Sequence, residues 1–564
     1  MSHPLFDAHR QTLDAALDAI RSRTHHSAYP EVPSGKIYGE TAKADGLAAF
    51  QARLGSQFEL GQAGDGAASV GTEVSPFGIE LNVRYAKPDL EAMVAAAQTA
   101  AAGWRDASRE ARAGVCLEIL HRLNRRSFEL AFSVMHTTGQ GFMMAFQAGG
   151  PHAQDRGLEA VAYAWDELAR TPERATWTKR VGRDETVTLE KTFRVVPRGI
   201  GLVIACSTFP TWNSYPAIFA DLMTGNAVII KPHPGAILPL AVTAEICRDV
   251  LAEHGFDPNT VQLAADTPDA PITTDLATRP EVGIIDYTGG NAFGEWLSEN
   301  ARHAALYTET AGVNSMILDS IDDLRAVTGN LAFTVSLYSG QMCTTSQNIF
   351  LPAAGLQVGG DHMSFDDVAA AIVKAVDWLL GEPARGAEIL GAVQNPATAA
   401  RVDEARTAGG TILRDATPVT NEHFPEARVI SPLIVKVNAD QRELFGRECF
   451  GPVVYIVATE STEQSIELAA SIAREQGAIT CGLHSNDADV IAAAEDATAL
   501  AGVPLSVNLT GGIYVNQAAA FSDFHVSGAN PSGNATLCDG NFVAGRFRVV
   551  QSRIPVPAAV PAGA

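Results

Sequence analysis

Hydrophobic residues recur every three or four positions along most of the first 170 residues, a spacing that is typical of amphipathic helices. The spacing predicts helices over residues 4–23 and 41–54 and a strongly helical stretch over 88–170. The residues after the second of these helices are rich in Gly and Ala and are predicted to form a loop. Residues 1–75 are therefore interpreted as an N-terminal helical extension.

Beyond residue 197 the pattern changes to short apolar runs that alternate with helical periodicity. Helices are predicted to begin near Pro216 and to run over 238–254. Buried strands are predicted at residues 201–206, 227–231, 261–263 and 282–286. A second series of strands and helices runs over 306–515. Such alternation predicts an α/β fold with a parallel, doubly wound sheet.

Two further segments alternate between polar and apolar residues, as exposed strands do, at 188–196 and 547–551. The chain has 564 residues, which is enough for two to four domains with large cores. Its net charge of −23 and the lack of a basic cluster argue against binding to nucleic acid or to an anionic membrane. The N-terminus lacks a signal-peptide pattern, and no apolar run is long enough to span a bilayer.

Seven cysteines are scattered along the chain without a Cys-x-x-Cys pair. This distribution argues against a disulfide framework and against a structural zinc site, so no metal is expected. It favours a reducing compartment, and we expect the protein in the cytoplasm.

Two residues stand out as candidates for chemistry. Cys343 lies in a polar turn between Gly340 and Thr345, where a thiol can be reachable and partly ionised. Glu309 ends an apolar run and precedes Gly312, so partial desolvation could make it a general base. Taken singly, each has an ordinary alternative, since most free cysteines are core residues and most glutamates are solvated.

Four other segments carry weaker signals. The turn from Thr288 through Gly289 and Gly290 to Gly294 could bring backbone close to a phosphate, or be only a tight strand-to-helix turn. The amide of Asn213 could donate to an oxyanion or make a turn. Two further pairs could bind a ribose or phosphate, or could lie in exposed or turn positions, and these are Lys231 with His233 and Glu448 with Phe450.

The order of these segments resembles the aldehyde dehydrogenase superfamily over about residues 80–550. The similar segments, in the family's order, are 209–213, 231–232, 287–294, 309–312, 340–343 and 448–452. The segments 231–234, 520–525 and 547–553 resemble a branch of the family that acts in phenylacetate breakdown. Three departures are that Pro234 replaces a ribose-binding carboxylate, Gly290 replaces a serine, and Ala311 replaces a glycine.

The resemblance implies a Rossmann-type cofactor domain, an α/β catalytic domain and a small β element for oligomerisation. It implies cofactor-domain residues 76–174 and 197–305, catalytic-domain residues 306–515 and oligomerisation strands 175–196 and 540–554, in a homodimer or homotetramer. Cys343 would be the nucleophile, Glu309 the base that activates water, and Asn213 an oxyanion donor. The cofactor would be bound by Lys231, His233, Thr288, Gly289, Gly290, Gly294, Gly312, Glu448 and Phe450.

The implied reaction is oxidation of an aldehyde to an acid with NADP or NAD. The substrate would be a ring-opened semialdehyde, free or CoA-linked. NADP is favoured because Pro234 removes a negative charge from where a 2′-phosphate would lie. Three alternatives remain open, namely a CoA-acylating dehydrogenase, a cysteine hydrolase, for which no histidine lies near Cys343 in sequence, and a non-catalytic scaffold.

Overall fold

The computed structural model describes residues 3–183, 185–310, 312–535 and 537–556. Ala311 lies outside the described residues. The N-terminal part contains α1 Pro4–Ser22, α2 Gly35–Tyr38, α3 Ala42–Arg53, β1 Gln57–Phe58, β2 Asp65–Val70 and β3 Arg84–Pro88. Both predicted helices are confirmed by α1 and α3. The predicted loop instead contains β2, which pairs with β3 because backbone groups there find ladder partners that local sequence does not reveal.

A helical layer follows and confirms the helical stretch predicted over 88–170. Its members are α4 Leu90–Asp106, α5 Arg109–Arg125, α6 Ser127–Thr138, α7 Phe142–Gln147 and α8 Ala153–Ala169. Asp89 and Ser108 accept hydrogen bonds from backbone N–H groups in the first turns of α4 and α5, as N-cap residues do. A π-helical turn, Ala148–His152, joins α7 to α8.

A five-stranded parallel sheet comes after β4 Arg174–Arg180 and β5 Thr186–Pro197. Its strands are β6 Ile200–Ile204, β7 Ala227–Lys231, β8 Val261–Leu263, β9 Val282–Gly289 and β10 Ala305–Thr310. Their order is β10-β9-β6-β7-β8. The connecting helices are α9 Pro210–Met223, α10 Leu238–Glu253, α11 Thr273–Ala277 and α12 Asn291–Asn300. Since β10 pairs with β9, the predicted domain boundary after residue 305 falls inside this sheet.

The prediction that α9 begins near Pro216 is wrong, because the helix begins at Pro210. A proline is well tolerated in the first helical turn, where its missing N–H would have no partner in any case. Asn213 therefore lies in the first turn of a helix and not in an irregular turn.

A seven-stranded sheet fills the next part of the chain, in the order β16-β17-β18-β13-β11-β19-β20. The strands from here to residue 507 are β11 Asn314–Leu318, β12 Ser320–Ile321, β13 Ser346–Pro352, β14 Leu356–Val358, β15 Asp361–Met363, β16 Thr411–Arg414, β17 Leu433–Asn438, β18 Val453–Thr459, β19 Cys481–His484 and β20 Leu505–Val507. The helices are α13 Leu324–Ser336, α14 Phe365–Leu380, α15 Pro383–Leu390, α16 Pro396–Ala408, α17 Arg442–Phe445, α18 Thr462–Gln476, α19 Ala488–Ala501 and α20 Gly540–Ala544. The predicted α/β class is confirmed.

The last strand, β21 Phe547–Pro555, pairs antiparallel with β5, which also pairs with β4. Just before β21, the buried guanidinium of Arg546 donates to Asp221 Oδ1 at 2.8 Å and to both carboxylate oxygens of Asp286 at 2.6 and 2.8 Å. Arg546 thus fastens the end of the chain to α9 and β9 of the first sheet.

Candidate active site

The loop that carries Cys343 connects α13 to β13. Tyr338, Ser339 and Gly340 have φ angles of 54°, 49° and 65°, all in the left-handed region that favours glycine. A Cβ atom on Gly340 would lie 2.3 Å from the carbonyl oxygen of Gly451. Only glycine therefore permits the close backbone approach that places Cys343 just before a buried strand.

Asn314, at the start of β11, fixes this loop from below. Its Nδ2 donates to the carbonyl oxygens of Cys343 at 2.7 Å and Thr345 at 3.1 Å. Its Oδ1 accepts from the backbone N–H groups of Ile479 and Thr480. The Asn314 side chain thus ties the Cys343 loop to the segment that precedes β19. Sequence reasoning missed Asn314, although it follows the Glu309 segment closely.

Glu309 lies near the end of β10 and its side chain is 3% exposed. Its Oε1 accepts from Asn213 Nδ2 at 3.1 Å and from His525 Nε2 at 2.9 Å. Its Oε2 is also buried and has no hydrogen-bond partner among the described residues. The Asn213 amide, predicted as an oxyanion donor, is directed at Glu309 in this arrangement.

His525 is the residue of this cluster that sequence reasoning did not place. Its Nε2 lies 3.8 Å from Cys343 Sγ, and the N, S and O ligand atoms of His525, Cys343 and Glu309 lie within 4.8 Å of one another. The ring packs edge-on against Trp212, with centroids 4.6 Å apart. Since 182 residues separate His525 from Cys343, no local spacing could have revealed the contact.

The electrostatics of the cluster favour a protonated thiol beside an ionised carboxylate. Burial would raise the pKa of Glu309, but the charge and hydrogen bond of His525, aided by Cys343 and Asn213, outweigh it and hold the pKa below its usual value. Burial and then the charge of Glu309 raise the pKa of Cys343 well above its usual value. The expectation of a partly ionised thiol is therefore wrong for this arrangement.

The segment that carries His525 has neither helix nor strand over its described residues, 508–535 and 537–539. A buried ion pair between Arg156 and Glu159 of α8, at 2.8 Å, holds it. Glu159 accepts from the backbone N–H of Phe521 at 3.0 Å. The Arg156 guanidinium donates to three carbonyl oxygens of the segment, those of Ala518, Asp523 and Leu537. Charged side chains hold the backbone of this segment in place, whereas hydrogen bonds between backbone groups do so in the sheets.

The N-terminal extension contacts the same segment. The guanidinium of Arg23 lies 3.9 Å from the ring centroid of Phe524 and donates to Glu159 at 3.4 Å. The ring of His26 packs edge-on against Phe521, with centroids 5.0 Å apart. Residues of the N-terminal extension and of α8 thus both contact the segment around His525.

Lys231, the last residue of β7, is buried, so the alternative that it is exposed is wrong. Its Nζ lies 2.7 Å from Asp266 Oδ1 and also donates to the carbonyl oxygen of Pro232 at 2.6 Å. His233 is exposed, and its Nδ1 accepts from the backbone N–H of Gly235. A carboxylate therefore lies beside Lys231, although Pro234 occupies the position that was expected to carry one.

The turn from Thr288 to Gly294 joins β9 to α12, and Thr288 pairs with Glu309 across the sheet. A Cβ atom on Gly289 would lie 2.4 Å from Tyr287 Oη, and one on Gly294 would lie 2.9 Å from Thr310. A Cβ atom on Gly290 would meet nothing within 4 Å. The turn is therefore open at the N-terminus of α12, where backbone N–H groups can receive a phosphate.

Glu448 and Phe450 lie between α17 and β18. Burial raises the pKa of Glu448 to about 7, and its charge acts on Cys343. The carbonyl oxygen of Phe450 accepts from Arg401 at 2.9 Å. A Cβ atom on Gly312 would lie 2.3 Å from Ser532 Oγ, so this glycine has a packing reason of its own. The open turn, the buried lysine and the half-buried carboxylate together fit a nicotinamide dinucleotide.

An α/β fold with a five-stranded and a seven-stranded sheet, and with a cysteine and a glutamate at one centre, is the arrangement expected of the aldehyde dehydrogenase class. The model of the aldehyde dehydrogenase family matches residues 82–535, and the chain belongs to that family. A crystal structure of an NAD-dependent aldehyde dehydrogenase from Burkholderia multivorans is 55% identical, with a TM-score of 0.97 over 99% of this chain and all of that one.

More distant relatives have named substrates. An N-succinylglutamate 5-semialdehyde dehydrogenase from Burkholderia lata is 25% identical over 407 residues, which are 71% of this chain and 77% of that protein. A sulfoacetaldehyde dehydrogenase from Neptuniibacter caesariensis is 26% identical over 48% of this chain and 56% of that protein. In the described part of the chain, no helix is long and apolar enough to cross a membrane.

Proposed function

We propose that the protein oxidises an aldehyde to a carboxylic acid through a thioester on Cys343. The observation that carries this proposal is the clustering of a thiol, an ionised buried carboxylate and an amide donor at the ends of three different elements. Thiol and carboxylate suit a covalent step followed by hydrolysis. A non-catalytic scaffold would not require this buried, electrostatically costly cluster.

In the first step, Cys343 loses its proton to Glu309, and Sγ forms a bond to the aldehyde carbon. Asn213 and the Cys343 backbone N–H are the proposed donors to the resulting oxyanion, and one such donor is worth about 2.7–4 kcal/mol. A bound nicotinamide ring would accept the hydride that leaves the substrate carbon. Glu309 passes the proton that it took from Cys343 to solvent and is a base again. It then takes a proton from the water that attacks the thioester, and the C–S bond breaks to release the acid and the Cys343 thiolate, which regains a proton from Glu309.

The residues proposed to hold the cofactor are those of the open turn, Lys231, His233, Glu448 and Phe450, with Gly312 near the base. We infer that NADP is accepted and preferred. The support is that Pro234 carries no charge and that His233 is exposed beside Lys231. The Lys231–Asp266 pair opposes it, because Asp266 places a negative charge there. Comparing kcat/KM for NADP and NAD tests this preference, and a tenfold advantage for NAD would exclude it.

The substrate is proposed to be a semialdehyde, ring-opened and derived from phenylacetate, either free or CoA-linked. Support comes from the sequence segments 231–234, 520–525 and 547–553, and from a relative named for a semialdehyde. A CoA-acylating reaction is disfavoured because Glu309 is placed to activate water. A panel of free and CoA-linked semialdehydes, with and without added CoA, would identify the substrate. Formation of a thioester product that depends on added CoA would contradict the proposal that water releases the acyl group.

Cys343→Ala should abolish aldehyde-dependent NAD(P)H formation and leave cofactor binding intact. Cys481→Ala, at a buried cysteine of β19, is the matched control and should keep turnover near that of the wild type. Turnover that survives Cys343→Ala would exclude the covalent mechanism.

A homodimer or homotetramer is proposed to form through the sheet β4-β5-β21. Five large apolar side chains of this sheet are exposed in the single chain, those of Trp177, Val196, Val549, Val550 and Ile554. Light scattering after size exclusion measures the mass, and a monomer would contradict the proposal.

All seven cysteines are unpaired, which supports a reducing cytoplasm, and cell fractionation tests that location.

A further inference from the structure

His525 presents one nitrogen to both the carboxylate of Glu309 and the thiol of Cys343. Its Nε2 lies 2.9 Å from Glu309 Oε1 and 3.8 Å from Cys343 Sγ. Its Nδ1 is buried and has no hydrogen-bond partner among the described residues. Whether the imidazole is neutral or protonated, an N–H at Nε2 is needed to satisfy the carboxylate.

This geometry differs from that of a cysteine hydrolase. In such a triad, the carboxylate holds one ring nitrogen and the other nitrogen takes the proton of the nucleophile. Here the carboxylate of Glu309 holds the same nitrogen that faces Sγ. Nε2 carries its proton toward Glu309, so His525 cannot at the same time accept the thiol proton. His525 is therefore placed as a donor, which disfavours the hydrolase alternative.

We propose that His525 is a further catalytic residue, whose Nε2–H stabilises one negative charge that Glu309 and Cys343 share. The proposal rests on the proposed function of the two residues. Before attack, the charge lies on the carboxylate of Glu309. When the S–H bond of Cys343 breaks and an O–H bond forms on Glu309, the charge moves to sulfur. No electron is gained or lost, and the donor stays between the two atoms.

The surroundings show why a donor is needed. Burial raises the pKa of the Cys343 thiol, and the charges of Glu309, Cys206 and Glu448 raise it further. The side-chain amide of Asn213 donates to Glu309. The guanidinium of Arg156 lies over the ring of Trp212, 5.2 Å from its centroid, and that ring separates it from the cluster. The imidazole of His525 is thus the group placed to offset negative charge on both atoms.

The position of His525 is fixed by packing on two sides. Trp212, next to Asn213 on α9, packs edge-on against the ring. The backbone on either side of His525 is held by Arg156 through the carbonyl oxygens of Asp523 and Leu537. A donor held in this way loses little conformational freedom when the charge moves from oxygen to sulfur.

The test measures the thiolate without aldehyde or cofactor. The rate of Cys343 modification by 2,2′-dipyridyl disulfide is followed from pH 4 to 9 in the presence of EDTA, which keeps metal ions off the three donor groups. Cys343→Ala gives the background from the other cysteines. Three variants are compared with the wild type: His525→Leu, which removes the donor; His525→Gln, which keeps an N–H near Nε2; and His484→Leu, which removes a histidine equally buried in β19.

Hydrogen bonds to charged groups contribute about 1.5–3 kcal/mol, or about 10- to 100-fold in an equilibrium. We expect His525→Leu to move the acid limb of the rate profile up by about 1–2 pH units and to slow modification at pH 5 by about 10- to 100-fold. His525→Gln should recover most of the rate, and His484→Leu should match the wild type.

A wild-type profile in folded His525→Leu would overturn the proposal. If that variant does not fold, His525→Gln decides, and a loss of more than about tenfold in its rate at pH 5 overturns the donor role. The modification assay contains no aldehyde, so its result does not depend on whether the protein is a dehydrogenase. Failure of the proposed role of His525 can therefore be distinguished from failure of the proposed function.

Discussion

Two regions of different construction meet at Cys343. Glu309, Asn213 and Cys343 come from the ends of a strand and a helix and from a tight loop between regular elements, and local backbone geometry positions them. His525 comes from a segment without helix or strand, which a buried ion pair on α8 holds in place. The first construction leaves traces in hydrophobic periodicity and in turn residues, whereas the second depends on partners hundreds of residues away.

The two constructions should also differ in what breaks them. Backbone ladders distribute their stabilisation over many hydrogen bonds, so loss of one side chain is tolerated. A buried ion pair concentrates it in two residues, and loss of one partner leaves an unpaired charge in the interior.

The largest expected effect lies in the regular region and concerns chemistry alone. Glu309→Gln keeps the shape of the side chain and removes the base. Turnover should fall by about 10²–10⁴-fold, because general-base catalysis contributes about that factor. Intact-mass spectrometry should show an acyl-enzyme adduct on Cys343, because loss of the base should slow hydrolysis of the thioester more than its formation. Rapid turnover with no adduct would contradict the assignment of Glu309 as the base.

The next effect tests the irregular region. Arg156→Leu leaves the buried carboxylate of Glu159 with only the longer contact to Arg23 as a cationic partner, which should lower the free energy of unfolding by about 3–5 kcal/mol. Urea denaturation measures this loss. Arg170→Leu, at an exposed arginine at the opposite end of α8, is the control and should change stability by less than about 1 kcal/mol. Equal stability of the two variants would show that the segment does not depend on the ion pair.

A smaller effect is expected from the counterpart in the regular region. Asn314→Ala removes four hydrogen bonds around the Cys343 loop and leaves buried backbone groups without partners. Each unsatisfied group costs about 1–3 kcal/mol, although relaxation and water should reduce the sum to about that of one group. Denaturation of Asn314→Ala beside Asn330→Ala, a buried asparagine of α13, separates the loop from general packing. If Asn314→Ala lost more stability than Arg156→Leu, the regular region would depend on a single side chain more than the irregular region does.

The smallest effect concerns the N-terminal extension. Arg23→Ala removes a cation–π contact with Phe524, a hydrogen bond to Tyr163 Oη at 2.8 Å and a longer one to Glu159, and should cost about 1–2 kcal/mol. Hydrogen exchange of residues 518–526 should quicken, because those residues lose a covering contact. Arg21→Ala, at an exposed arginine two residues before Arg23, should leave that exchange unchanged. Unaltered exchange in both variants would separate the extension from the His525 segment.

The sequence predicts the two constructions unequally. β7 and β8 were predicted to the residue, because both are short runs of buried apolar residues bounded by polar ones. The start of α9 was predicted six residues late, because Pro210 opens the helix while Pro216 lies inside it. The paired strand β2 was missed, since its residues are small and mostly exposed.

The site divides in the same way. Glu309 and Cys343 could be chosen because a carboxylate and a thiol lie in turns beside buried strands. Asn314 and His525 could not, because their importance lies in contacts with chain segments 165 and 182 residues away. Asp266 escaped notice for a related reason, since only the fold brings it to Lys231. The assignments of catalytic and cofactor-binding roles remain predictions.

The buried ion pairs of Arg546 can form only near the end of chain synthesis. Its carboxylate partners Asp286 and Asp221 leave the ribosome 260 and 325 residues earlier. At about 5–20 residues per second, they wait roughly 13–52 s or longer for their counter-ion. During that interval, the first sheet holds two carboxylates whose burial has no compensation. We expect its final compaction to follow translation of the last strand, which protease protection of stalled chains ending before and after residue 546 would show.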